Sequence, residues 1–306
     1  MRSKPESGRL RRLAEKGLAL LESCRLCPRA CGKNRLEDER GRCLTGRLAR
    51  VASFGPHFGE EAPLVGYGGS GTVFFSGCNL NCTFCQNSDI SQGPGGRETG
   101  ARDLAGIFLQ VQEMGCHNLN LVTPTHVLPQ ILEALSLAVP EGLRVPIVWN
   151  CGGYESSEAL ALLDGVVDIY MPDLKFMDEE PSRAFLDAPD YPEAAQAAIK
   201  EMHRQVGDLV IDDQGLAVRG LLVRHLVMPD GLAGSDKAIR FLKEEISGNT
   251  YLNIMDQYRP CHRAIDDPRI GRRPERRLWI EACETARKQG LRLDGDGPKY
   301  ASSGTG

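Results

Sequence analysis

Three cysteines, Cys78, Cys82 and Cys85, stand in C-x3-C-x2-C spacing within FFSGCNLNCTFCQN, directly after an apolar run. In a chain with no signal-like apolar core near its start, clustered thiols read as metal ligands rather than disulfides; a pair two residues apart would also close a very small loop. Three thiolates can hold three of the four irons of a [4Fe-4S] cluster and leave the fourth open to a non-protein ligand. A structural zinc site closes with four protein ligands. This loop offers no fourth Cys or His, so zinc would need one from elsewhere in the chain.

A second set does have four. Cys24, Cys27, Cys31 and Cys43 are spaced C-x2-C-x3-C-x11-C, enough to close a zinc site or a second cluster with no open position. The other four of the eleven cysteines, Cys116, Cys151, Cys261 and Cys283, are scattered. The segment CRLCPRACGKNRLEDERGRC is charged and poor in apolar residues, so a metal or the main domain must order it.

The elements that must position these thiols follow from periodicity. TVFFSG, LNLVTP, VPIVWN, VVDIYMP, GLLVRHLVMP and TYLNIMDQY read as six strands. Between them lie amphipathic windows: Asp103 to Met114, a helix carrying Leu128, Ile131, Leu132 and Leu135, Ser157 to Leu163, and Pro192 to Val206. Ser235 is the expected N-cap of a helix through Ile246, and PERRLWIEACETARKQG is a last helix ending at Gly290. Strand-helix alternation implies a parallel sheet with helices outside it, either an open partial barrel or a doubly wound sheet. Three units are expected: a Cys-rich segment 1–63, a core domain 64–290, and a tail 291–306.

The bulk composition excludes several classes. A formal net charge of −4 gives no basic surplus to offset phosphates, so nucleic acid is not an expected partner. No run of apolar residues reaches a membrane span, and Glu15, Lys16 and Glu22 interrupt the N-terminal region, which points to a cytoplasmic protein.

The C-x3-C-x2-C motif after a first strand, with Phe84 one residue before the third cysteine, resembles the signature of the radical S-adenosylmethionine (radical SAM) enzymes. From about Ser23 to Tyr258, the stretches SCRLCPRACGKNRLEDERGRCLTG, HFGEEAPLVGYGGSG, LNLVTPTHVLP, PIVWNCGGYE and DIYMPDLKF resemble a group related to pyruvate formate-lyase-activating enzyme. The resemblance implies a partial (β/α)6-type TIM barrel with a small Cys-rich N-terminal appendage. It also implies a [4Fe-4S] cluster on Cys78, Cys82 and Cys85. S-adenosylmethionine would bind the unique iron and be cleaved reductively to a 5′-deoxyadenosyl radical that abstracts hydrogen from a substrate.

Site residues carried over by the resemblance sit at strand ends. Many superfamily members have Gly-Gly-Glu-Pro after the second strand; here Thr123-Pro124-Thr125-His126 stands there, so Thr123 and Thr125 would have to serve the methionine amino group. The other reading of Thr125 is a cap for the next helix. Asn150 matches a ribose-region position, or is a turn residue before Gly152-Gly153. Asp173 and Lys175 match positions near the methionine carboxylate, or form a solvated ion pair. Arg224 matches an Arg that contacts that carboxylate, while His225 should face the other way by strand alternation. Tyr258 matches an adenosine contact.

The partners this implies are flavodoxin or ferredoxin as electron donor and a glycyl-radical enzyme or another peptide as substrate. The cysteines alone would also suit a non-catalytic iron-sulfur electron carrier or metal-binding protein. For the four N-terminal cysteines, zinc and a second Fe-S cluster both stay open. His57, Glu60 and Glu61 in HFGEE leave room for a substrate-facing role, with solvated acids as the plain alternative.

Overall fold

A computed structural model describes residues 4–93 and 95–295. In chain order the strands are β1 (Ala49–His57), β2 (Ser70–Phe75), β3 (Arg97–Thr99), β4 (Leu119–Val122), β5 (Ile147–Cys151), β6 (Ile169–Pro172), β7 (Val210–Ile211), β8 (Ala217–Leu226), β9 (Tyr251–Met255) and β10 (Arg292–Leu293). The helices are α1 (Ser7–Ala19), α2 (Ala62–Val65), α3 (Ser88–Ser91), α4 (Ala101–Glu113), α5 (Leu128–Ala138), α6 (Ser157–Leu163), α7 (Glu179–Leu186), α8 (Tyr191–Val206), α9 (Ser235–Phe241) and α10 (Arg276–Lys288).

One sheet runs β10-β9-β8-β6-β5-β4-β2-β1-β3, with β7 paired to β8. From β2 to β10 every neighbouring pair along this path is parallel. β1 and β3 add antiparallel partners at the β2 edge. The sheet is open, and the expected partial barrel of parallel strands is what forms. All six expected strands are present.

The period-2 alternation of β5, β6, β8 and β9 sorts their residues onto two faces. Outward go Trp149, Tyr170, Leu221, Val223, Leu252 and Ile254, into the main core shared with the helices. Inward go Val148, Met171, Leu222 and Tyr251, which enclose Leu64 of α2 in a separate apolar cluster inside the barrel. Two residues further along the same strands, on the same face, come Asn150, Asp173, Arg224 and Asn253. The barrel interior is therefore apolar below and polar above.

Residues 4–63 are built into this core. α1 lies on α5, close enough that a Cβ on Gly17 would meet Pro129 Cβ at 3.3 Å. Lys4 pairs with Asp168 just before β6, and β1 is a strand of the main sheet. The buried Arg35 side chain donates to the His126 carbonyl (2.7 Å) and to that of Gly46 (3.1 Å).

Several local expectations differ. Gly234, not Ser235, occupies the N-cap of α9, and the Ser235 hydroxyl instead meets His225 Nε2 at 2.9 Å. α9 ends at Phe241, and Leu242–Ile246 continue as a π-helical turn. The tail expected over 291–306 begins with β10; beyond residue 295 it lies outside the described residues.

Candidate active site

The loop after β2 carries the three thiols and is pinned from several sides. Gly77 turns it with φ +87°, and a Cβ there would lie 2.2 Å from the Cys43 carbonyl oxygen, so only glycine fits. The amides of Asn81 and Thr83 donate to the carbonyls of Leu186 (3.2 Å) and Phe185 (2.9 Å) at the end of α7. The Asn79 amide donates to the Tyr154 carbonyl at 2.6 Å, and Arg29 donates to the Asn79 carbonyl. Phe84 packs edge-on against Phe176 and Tyr258, with ring centroids 5.9 and 6.0 Å apart. These contacts turn Cys78, Cys82 and Cys85 towards one cavity of about 590 Å³, within the size range that holds a nucleoside-sized ligand.

The same cavity is lined by Thr123, Asn150, Asp173, Lys175, Arg224 and Tyr258. Arg224 Nε donates to Asp173 Oδ1 at 2.8 Å, and its Nη2 to Asn150 Oδ1 at 2.8 Å. Lys175 Nζ reaches Asp173 Oδ2 at 2.5 Å. Burial would push the Asp173 carboxyl up, but the charges of Arg224 and Lys175 outweigh it and hold the group below the usual carboxylate range. Burial alone would lower Lys175; Asp173, followed by Cys82, raises it instead. Burial pushes the Cys82 thiol up to about 12 against the pull of Lys175, and raises Cys78 as well. Buried thiols of this kind ionise when a metal takes the charge.

Thr123 holds a left-handed backbone at φ +58°, an outlier for a β-branched residue, and its amide donates to the Asn150 carbonyl at 2.8 Å. Strained residues of this sort collect at functional sites. Thr125 does not join the cavity. Its hydroxyl donates to Glu155 Oε1 at 2.5 Å in the protein interior, and Val127 rather than Thr125 is the N-cap of α5. Tyr258 lines the cavity with its ring, while its hydroxyl donates to the Ile270 carbonyl at 2.7 Å. His225 is fully buried on the other face, with Nδ1 2.7 Å from the Leu174 carbonyl.

Sequence reasoning passed over Tyr191. Its hydroxyl accepts from the Lys175 amide (3.0 Å) and sits 2.8 Å from the Asp173 carbonyl, fixing the turn that presents both charges. Nothing in the sequence around α8 signals this. Cys151 also lines the cavity, but its thiol interacts with Glu155 behind it. Glu60, Glu61, Asn253 and Asp294 also line the cavity.

The four N-terminal cysteines are gathered in one fold of chain. The Cys24 amide donates to the Lys33 carbonyl (3.0 Å) and the Gly32 amide to the Cys24 carbonyl (3.1 Å). Gly41 packs so close to Cys31 that a Cβ would lie 2.8 Å from its sulfur. Among the described residues no three His, Cys, Asp or Glu side chains converge on the position of a single metal ion. Three thiols open on one cavity, with the Lys175 ammonium acting on Cys82, a donor set suited to thiolate ligands of an iron-sulfur cluster. The donor set and the cavity therefore fit the cluster and S-adenosylmethionine that the sequence resemblance implies.

Residues 72–212 match the family described as the Radical SAM superfamily. Uncharacterized protein MJ0674 of Methanocaldococcus jannaschii is 34% identical over 284 residues, covering 90% of this chain and 77% of that protein. Streptococcus suis SuiB bound to its precursor peptide SuiA aligns with a TM-score of 0.47 at 12% identity, over 72% of this chain and 47% of that one. The cobalamin-dependent S-adenosylmethionine radical enzyme OxsB aligns with a TM-score of 0.39 at 11% identity, over 70% of this chain and 30% of that one. The chain thus spans less than half the length of either solved chain. Among the described residues no helix is long and apolar enough to cross a membrane. On the family match, residues 72–212 of this chain carry a Radical SAM superfamily domain.

Proposed function

We propose that this radical SAM enzyme abstracts hydrogen from a protein or peptide, as activating enzymes of the pyruvate formate-lyase group do to a glycyl-radical enzyme. The observation that carries the reading is the joint opening of Cys78, Cys82 and Cys85 and the Asp173–Lys175–Arg224 network onto one cavity. When bound, the [4Fe-4S] cluster and S-adenosylmethionine supply a 5′-deoxyadenosyl radical, with one electron delivered by flavodoxin or ferredoxin.

The chain's own residues position the reactants. Cys78, Cys82 and Cys85 would hold the cluster. Arg224 and Lys175, both oriented by Asp173, would take the methionine carboxylate. Asn150 uses its oxygen on Arg224 and keeps its amide N–H groups for the ribose. The strained backbone of Thr123 stands where many superfamily members carry Gly-Gly-Glu. The side-chain amides of Gln86, Asn87 and Gln257 also line the cavity and offer paired donors and acceptors to a peptide backbone.

Cys24, Cys27, Cys31 and Cys43 would hold an auxiliary cluster, or a zinc ion once the thiols draw together around it, since in the apoprotein they do not converge on a single metal position. The buried Arg35 guanidinium supports this, because it stands 3.8 Å from Cys24 Sγ, where thiolate charge would need compensation.

The test is anaerobic reconstitution, reduction with dithionite or flavodoxin, and addition of S-adenosylmethionine. Formation of 5′-deoxyadenosine that is lost in Cys82→Ala is expected, followed by deuterium transfer from a glycine-deuterated partner. Cleavage without label transfer from any glycyl-radical enzyme would overturn the activating role. Iron and zinc counts on a Cys24→Ser, Cys27→Ser variant assign the second metal.

A further inference from the structure

Part of the cavity lining is acidic, contributed by the connection between β1 and β2 and by the residue after β10. Leu64, fully buried in the apolar layer of the barrel, anchors this connection from below. Directly before it, Glu60 and Glu61 join the polar layer of Arg224 and Asn253. Asp294, following β10, stands level with Asn253 of the paired strand β9.

The partners of these three carboxylates are unequal. Glu60 meets His57 Nδ1 at 3.0 Å and Arg224 Nη1 at 3.7 Å. Glu61 accepts one hydrogen bond, from the Asn253 amide at 2.9 Å on Oε1, and its charge acts on Arg224, which is already paired with Asp173. Its Oε2 has no hydrogen-bond partner, although the residue is just 5% exposed. Asp294 receives the neutral Tyr251 hydroxyl at 2.7 Å. Arg224 already serves Asp173, as does Lys175. Among the described residues, then, two neighbouring carboxylates on one wall carry an excess of negative charge, and one oxygen waits for a donor. Leaving a buried carboxylate oxygen unmatched is costly, so a state that matches it is favoured. Because no three side chains here converge as ligands of a single metal ion, the complement is a larger cation that donates hydrogen bonds.

We propose that Glu61, supported by Asp294, Glu60 and Asn253, binds an ammonium or guanidinium group of the substrate, and so selects a peptide with a lysine or arginine near the reacting residue. This rests on the peptide reading above. Glu61 sets recognition, and the thiol loop is left to the cofactor. S-adenosylmethionine also carries an ammonium group, and the test separates the two sources.

Reconstituted holoenzyme saturated with S-adenosylmethionine is titrated calorimetrically with Nα-acetyl-Gly-Lys-Gly amide and with its norleucine analogue. The lysine peptide is expected to bind about tenfold to a hundredfold tighter, the size of one desolvated charge-assisted bond. In Glu61→Gln the ratio should fall below about threefold, and Asp294→Asn should shrink it as a second, independent variant. Equal binding of the two peptides to the wild type overturns the proposal with no variant needed. So does a Glu61→Gln variant that loses affinity for S-adenosylmethionine yet still discriminates lysine from norleucine. Uncoupled 5′-deoxyadenosine formation by the wild type is recorded alongside. If it proceeds while discrimination is absent, the charge selection fails and the radical chemistry stands.

Discussion

Arg224 and Asp173 come from strands adjacent in the sheet, and their side chains meet at 2.8 Å beside the cavity, with Lys175 closing on the same carboxylate. One carboxylate thus orders two cations. Asp173→Asn leaves both buried without their shared counter-charge and should destabilise the apoprotein by about 3–5 kcal/mol. Urea unfolding measures this, and a loss below about 1 kcal/mol would contradict the pairing. Acid should act the same way. The Asp173 pKa is depressed on folding, so its contribution is present above the ordinary carboxylate pKa of 3.8 and fades as pH falls through the lower folded value.

A second pH dependence has opposed parts. Burial pushes His126 and His225 down to about 4 from 6.5. Between those values the unfolded chain binds protons that the fold excludes, so stability falls as pH drops, by up to about 1.4 kcal/mol per pH unit for each histidine. Glu155 works against them. Burial raises its carboxyl to about 7, despite the hydrogen bond from Thr125. Its contribution is present below the unfolded value of 4.5 and is lost as pH rises through 7. Between pH 4.5 and 6.5, Glu155→Gln should therefore steepen the stability profile. An unchanged slope would show that Glu155 is ionised in the fold.

Tyr258 offers a test of packing against contact. Its hydroxyl belongs to Ile270 and its ring to Phe84. Tyr258→Phe should cost about 1 kcal/mol and leave S-adenosylmethionine affinity within about twofold. Tyr258→Ala should cost about 3–5 kcal/mol by removing the ring on which the cysteine loop rests. A large affinity loss in the Phe variant would instead give the hydroxyl a direct role.

Gly77→Ala combines a left-handed backbone with a Cβ 2.2 Å from the Cys43 carbonyl. Strain alone is worth about 1–3 kcal/mol, and the clash adds to it. Iron bound per chain after reconstitution should drop. Gly106→Ala, with nothing within 4 Å of the new Cβ, is the control. Equal iron in the two variants would mean that the loop tolerates displacement from the N-terminal segment.

How much of this was legible beforehand divides along physical lines. The six parallel strands carry their signal locally, in β-branched and apolar runs such as TVFFSG, and all form. β1 escaped notice because ARVASFGPH mixes arginine, glycine and proline, and its pairing with β2 is long-range. Arg224 and His225 could be sorted to opposite faces by alternation alone. Thr125 could not be placed, because its choice of Glu155 depends on where β5 ends in space. Glu61 was visible only as an acid in HFGEE; that it reaches the barrel interior follows from Leu64 burying itself among strands more than eighty residues away. Tyr191 left no trace in the sequence, since the Lys175 turn it braces is formed by another element.

The seam between Gly77 and Cys43 has a bearing on maturation. The rear of the thiol loop is closed by the N-terminal segment, by the end of α7 and by Ala264, whose amide donates to the Thr83 carbonyl at 2.9 Å. The thiols open on the cavity, and the opposite side of their loop is braced by three separate parts of the chain. A cluster held there would rest on a loop whose shape is set before any metal arrives.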